Sequence, residues 1–147
     1  MTTKAKAPAS TSLATLANDL RLACMRISRR VRFESTDIVA PHQFSVMARL
    51  EETPRTPREL ADIERVSAPS MSRTVAALVE RGLVLRADDP TDGRQVILSL
   101  TPEGARTLKD IRRRRDEWMA SRIKGLSTEE REVLARASEI LLRVAGQ

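Results

Sequence analysis

Five small or polar residues stand at the front of one short helical run: Ser67, Pro69, Ser70, Arg73 and Thr74. The chemistry open to them is hydrogen-bond donation. The Ser67 and Ser70 hydroxyls, with the free N–H groups of a helix start, suit phosphate oxygens. Arg73 is the outward side chain of this run able to make paired hydrogen bonds to O6 and N7 of guanine. A second set lies farther along, in Asp89-Pro90-Thr91-Asp92-Gly93-Arg94. There Arg94 has the reach to enter a narrow, electronegative minor groove. Asp92 is placed to orient its guanidinium through a charge-assisted hydrogen bond. Two blander readings stay open: a solvated helix face on a core that binds only protein, and an ordinary hairpin turn with a solvated arginine.

Positioning these groups takes two short helices and a hairpin. Thr56-Pro57-Arg58-Glu59 predicts a capping box, with Pro57 at the first helical position and Leu60, Ala61 and Ile63 inward. After a turn around Glu64 to Val66, Ser67 caps a second helix that tolerates Pro69 in its first turn. Its core face is expected to be Met71, Val75, Leu78 and Val79, leaving Ser70, Arg73, Thr74 and Ala77 outward. Gly82 supplies a left-handed stop, and Leu83 beyond it can pack back. Leu83-Val84-Leu85-Arg86 and Gln95-Val96-Ile97-Leu98-Ser99-Leu100 read as strands joined by a Pro/Asp/Gly loop. A hairpin directly after a helix-turn-helix reads as a wing.

Longer amphipathic helices flank this unit. One carries Leu13, Leu16, Ala17, Leu20, Ala23, Cys24, Ile27 and Val31 at helical spacing, and Pro41-His42-Gln43 opens another. Thr101-Pro102-Glu103 and the capping box Ser127-Thr128-Glu129-Glu130 open two more. The expected fold is mainly α with a small β-hairpin wing: a winged helix-turn-helix at 41–101, a helical dimerisation region at 13–40 and 102–147, and a disordered tail at 1–12. The apolar faces at 13–31, 105–123 and 133–144 want partners, within the chain or in a second copy.

Composition removes several classes. Aromatics make up 2% of the 147 residues, too few for base-stacking RNA modules. No apolar run approaches a membrane span and no signal-peptide pattern opens the chain, so a cytoplasmic protein is the simplest expectation. A catalytic cluster, a Gly-rich phosphate loop and a metal-ligand set are all missing from the pattern. The expectation is therefore no enzyme, no cofactor and no metal. Net charge is +6, yet residues 55–101 hold seven Lys/Arg and seven Asp/Glu and are neutral. Binding to a polyanion must rest on arrangement rather than bulk charge.

Residues 57–104 resemble the winged helix-turn-helix core of the MarR family of bacterial transcription regulators. The likeness is carried by Glu59-Leu60-Ala61, Pro69-Ser70-Met71-Ser72-Arg73, Leu78 and Gly82-Leu83-Val84. It continues through Asp89-Pro90, Asp92-Gly93-Arg94, Leu98-Ser99-Leu100-Thr101 and Gly104. The order of flanking helices extends it over about 13–145. The resemblance implies a homodimer held by the first and last two helices, with two recognition helices in successive major grooves of a pseudo-palindromic double-stranded DNA operator. Pro69, Ser70 and Arg73 would meet the major groove, and Arg94 the minor groove with Asp92 beside it. It also implies a repressor relieved by a small aromatic or amphipathic effector bound between arm and winged domain. Met25, Phe33, His42, Phe44 and Met47 are the candidates for that pocket. The alternative from another class is a winged-helix module that binds protein and has no DNA readout.

The chain departs from peroxide-sensing members of that family. Cys24 sits deep in the first helix and no tyrosine is present, so a buried, inert thiol is expected. His42, the lone histidine beside Pro41 at a helix start, reads as structural, with a ligand contact or pH switch as the alternative. Arg112 to Arg115 occupy all faces of a helix, so some must approach packed surface, with Arg115 expected to snorkel or pair with an acid such as Asp116 or Glu117 across a dimer.

Overall fold

The computed structural model describes residues 11–35 and 37–146; most of the expected tail at 1–12 lies outside them. The order is α1 (Leu13–Glu34), α2 (Pro41–Glu52), α3 (Pro57–Glu64), α4 (Ala68–Glu80), β1 (Val84–Asp88), β2 (Val96–Leu100), α5 (Pro102–Ile123) and α6 (Thr128–Val144). It is mostly helical with one antiparallel hairpin, as the pattern predicts. Each of α1, α3, α4, α5 and α6 starts on a Ser or Thr whose side chain accepts a backbone N–H two or three residues into the helix. Such caps satisfy donors that the helix leaves open. In α3 and α6 the reciprocal bond from Glu59 or Glu130 completes the box.

The hairpin pairs Val84 with Leu100 through Asp88 with Val96. Arg55 adds a bridge on the free side of β2, exchanging both backbone bonds with Leu98. Gly82, at φ 72°, ends α4, while Leu83 N–H returns to Leu78 O at 3.0 Å. Leu83 O in turn lies against Gly104 near the start of α5. A Cβ built on Gly104 would meet that oxygen at 2.2 Å, so only glycine lets α5 cross here.

The core gathers Val46, Met47 and Leu50 from α2, Leu60 and Ala61 from α3, Met71, Val75 and Leu78 from α4, with Leu98, Leu108 and Ile111. Val39, Leu108 and Ile111 carry it past the expected 41–101 boundaries on both sides. Neither α1 nor α6 has a buried residue. Leu13 is 82% exposed and Val144 79%, with Leu16, Met25, Phe33, Val133, Leu134 and Ile140 also open. Cys24 is exposed rather than buried, because none of the described residues covers that face of α1. No helix among the described residues is long and apolar enough to cross a membrane.

Candidate nucleic-acid interface

The turn between α3 and α4 is closed by Arg65 in the left-handed region, at φ 54°. Its N–H and that of Val66 bond back to the end of α3. A non-glycine residue there is uncommon, and no glycine marked the turn in advance. The reversal aims Ser67 and the start of α4 away from the core. The Ser67 hydroxyl oxygen accepts Ser70 N–H at 3.3 Å, which leaves its own hydrogen free to donate. Pro69 and Arg73 are exposed, and Ser70 is half-buried.

Two expectations for these helices fail. Thr74 is 9% exposed and donates its hydroxyl to Ser70 O at 3.2 Å. Positions 71, 74, 75 and 78 form one i, i+3, i+4, i+7 stripe, so Thr74 faces the core despite its polar side chain. The backbone carbonyl satisfies its hydroxyl. Val79 packs half-buried against the core as expected, whereas Ile63, also expected inward, is 38% exposed.

In the wing loop both acids are engaged in shaping backbone. Asp89 Oδ1 accepts the N–H and hydroxyl of Thr91, each at 2.8 Å, and these bonds hold its carboxyl below the usual range. Asp92 Oδ1 accepts the backbone N–H of Arg94 at 3.1 Å, and Oδ2 accepts Gln95 Nε2 at 3.2 Å. The expected bond from Asp92 to the Arg94 guanidinium is thus not formed, since backbone and amide donors closer to hand take its oxygens. Arg94 carries no ion pair and is fully open.

This use of acids changes the meaning of the neutral charge. Between 55 and 101, Arg55 alone has a salt bridge, to Glu52. Arg58, Arg65, Arg73, Arg81, Arg86 and Arg94 have none. Glu59 is held by Thr56, Glu64 by Ser45 and Arg49, Asp89 and Asp92 by their loop. Three acids remain open against six arginines. Sequence counting could not anticipate this, because it weighs a cap carboxylate and a free one equally.

The five effector candidates do not come together. Met47 is wholly buried in the core, and Phe44 packs beside it under the Arg115 guanidinium, 3.8 Å from the ring centroid. Met25 and Phe33 are exposed on α1. His42 lies in a cleft of about 420 Å3 whose walls include Ser70, Arg73, Glu64 and Met71. Among the described residues Arg115 makes no ion pair within its own chain. Burial lowers its pKa, with Arg32 and Arg112 nearby adding to the effect. Arg112 instead bridges Glu51 of α2, and Arg113 and Arg114 share Asp110. Arg122 stacks on Trp118 and bonds Glu34 of α1. Among the described residues no group of three metal-ligating side chains assembles.

A family model described as the MarR family matches residues 39–95. An uncharacterized HTH-type transcriptional regulator of Mycobacterium bovis is 43% identical over 91% of this chain and 95% of its own. One of Mycobacterium leprae is 41% identical over the same shares. Among solved structures, a Pseudomonas aeruginosa protein assigned as a transcriptional regulator is 32% identical, with a TM-score of 0.78 over 95% of this chain and 99% of that one. A variant of S. aureus MepR, solved bound to an oligodeoxyribonucleotide, shares the fold at 19% identity, a TM-score of 0.68, and coverage of 88% and 98%. With relatives this similar along nearly its whole length, the chain belongs to the MarR family of helix-turn-helix transcriptional regulators.

Proposed function

We propose that this regulator binds double-stranded DNA as a homodimer, reading a pseudo-palindromic operator as a ligand-responsive cytoplasmic repressor. The observation that carries the reading is the pairing of a Ser67-capped α4, with Arg73 open, and a wing that leaves Arg94 free. In this reading Ser67, Pro69 and Ser70 approach the backbone and base edges of one major groove, Arg73 reads guanine, and Arg94 enters the adjoining minor groove. Asp92 contributes by fixing the loop. The oligodeoxyribonucleotide bound to a MepR variant of the same fold supports DNA as the partner class.

Residues 13–40 and 102–147 are proposed as the dimerisation arm, with 41–101 carrying the DNA contacts. The chain exposes 11214 Å2. A compact 16.4 kDa monomer exposes about 7500 Å2, and the open apolar faces of α1 and α6 account for part of the excess. A small aromatic or amphipathic effector would act by preferring one separation of the two recognition helices over another.

Selecting bound duplexes from a random pool tests the proposal, and should return two half-sites about 10–10.5 bp apart or a multiple of that. Arg73→Ala is expected to cost about 1–3 kcal/mol and to relax preference at one base pair. Arg94→Ala should weaken chiefly sites with narrow A·T-rich grooves. If no duplex is selected, a winged-helix module that binds protein is the better reading; if neither substitution changes binding to the selected duplex, Arg73 and Arg94 are not its readers.

A further inference from the structure

A second cleft, about 450 Å3 in volume, runs between the start of α3 and the wing. Thr56, Pro57, Arg58, Arg86, Gln95 and Val96 line it. Arg86 stands opposite Leu98 in the hairpin register. Directly paired residues share a sheet face, so Arg86 lies on the face of buried Leu98, whose other edge is bridged by Arg55 just before α3. Two arginines from separate elements therefore face one groove.

Neither has an ion pair. The acid next to Arg58 is committed elsewhere, since Glu59 Oε2 accepts the N–H of Thr56 at 2.7 Å and its hydroxyl at 3.1 Å. The Gln95 amide is tied to Asp92 at 3.2 Å. Of the first α3 amides, Glu59 N–H is taken by Thr56 Oγ1, Leu60 N–H by Thr56 O, and Pro57 has none, so the charged anion-seeking groups of this cleft are the two guanidiniums. A planar guanidinium fork fits the oxygens of a phosphate. The cleft also sits between the helix leading into α4 and the strand leading out of the Arg94 loop.

Resting on the DNA reading above, we propose that Arg58 and Arg86 clamp one phosphodiester of the DNA backbone. The clamped strand is the one that separates the major groove entered by α4 from the minor groove entered by Arg94. The contact carries no base information. It sets the register in which Arg73 and Arg94 meet their grooves.

The test uses the full-length protein and the duplex it selects, with an unrelated duplex of equal length beside it. For the Arg58→Ala, Arg86→Ala double variant, the slope of log affinity against log salt should shrink by about 1.8, the value of one phosphate for each protomer of the dimer. Affinity should fall by the same factor on both duplexes, leaving the preference between them unchanged. The double Lys variant should keep most of the wild-type slope. A neutral methylphosphonate scanned along the duplex should weaken wild type at one flanking position in each half-site and leave the double Ala variant indifferent there. A wild-type slope in the double Ala variant, or an altered preference ratio, overturns the clamp while leaving the DNA reading intact. A wild-type protein that selects no duplex overturns both. Inorganic phosphate at constant ionic strength should not displace duplex. If low-millimolar phosphate displaces it from wild type and not from the double Ala variant, the cleft is a free-anion site and the clamp is wrong.

Discussion

Residues 39–111 close a core of their own, with Met47, Leu60, Leu78, Leu98 and Leu108 fully buried, whereas α1 and α6 each carry an apolar face and bury nothing. Both regions have clean helical periodicity and good caps. They differ in what lies opposite each apolar stripe. In the winged unit, three helices and a hairpin meet within one short stretch of chain. Along the arm, α1 and α6 extend beyond the neighbours that could cover them. One region closes its own core, and the other leaves apolar faces open, as the proposed dimer would need. Arg112–Glu51 ties α5 to the winged unit and Arg122–Glu34 ties α5 to α1, both exposed ion pairs of a kind that contributes little. The division of labour therefore rests on apolar surface.

Breaking the arm should have the largest effect. Leu20→Glu with Ile140→Glu is expected to give a folded monomer by sedimentation, with operator affinity down by about 10²–10⁴-fold as the second half-site contact is lost. A monomer with full operator affinity would sink the proposed role of the arm. Next comes the core. Leu78→Ala should cost about 2–5 kcal/mol in denaturant unfolding, because a fully buried leucine leaves a cavity. Its signature is the converse of the first: a lower melting temperature with dimer assembly retained while folded.

Gly104→Ala probes the seam where α5 leaves the winged unit. Its Cβ meets backbone at Leu83 O, which cannot rotate away, so about 1–3 kcal/mol of strain is expected in thermal or chemical melting. The smallest effect is acid sensitivity of the tie between regions. The Arg112 guanidinium lowers the pKa of Glu51 in the folded state. A depressed carboxylate adds stability above its unfolded pKa, about 4.3, and that contribution is lost as pH falls through the folded value. Melting temperature should hold from pH 7 to 5 and drop below about pH 4, and Glu51→Gln should flatten part of that drop. An unchanged profile in the Gln variant would remove Glu51 from the account.

Much of the winged unit was legible in residues close together along the chain. The Thr56–Glu59 and Ser127–Glu130 boxes, the Ser67 cap, the Gly82 stop and the hairpin loop all involve partners within a few positions. The candidate interface was legible where it rested on exposure of Arg73 and Arg94. It misled where residue type was trusted over stripe, as at Thr74, and where a charge was assigned its nearest opposite, as at Asp92. Arg65 gave no warning, since nothing in its type marks a left-handed turn. Arg58 and Arg86 looked like two scattered surface arginines.

Short-range chemistry in the amino-acid order thus settled where helices begin, where they stop, and that a hairpin follows the second helix of the motif. Backbone donors and acceptors need partners within one turn, and these are specified by neighbours in sequence. Folding in three dimensions decided which acids are consumed, which arginines stay free, and which apolar faces find cover. Those outcomes depend on pairs such as Arg112 with Glu51, Arg115 with Phe44 and Arg86 with Arg58. Such groups lie far apart along the chain and acquire an energy of interaction only once the core between them has closed.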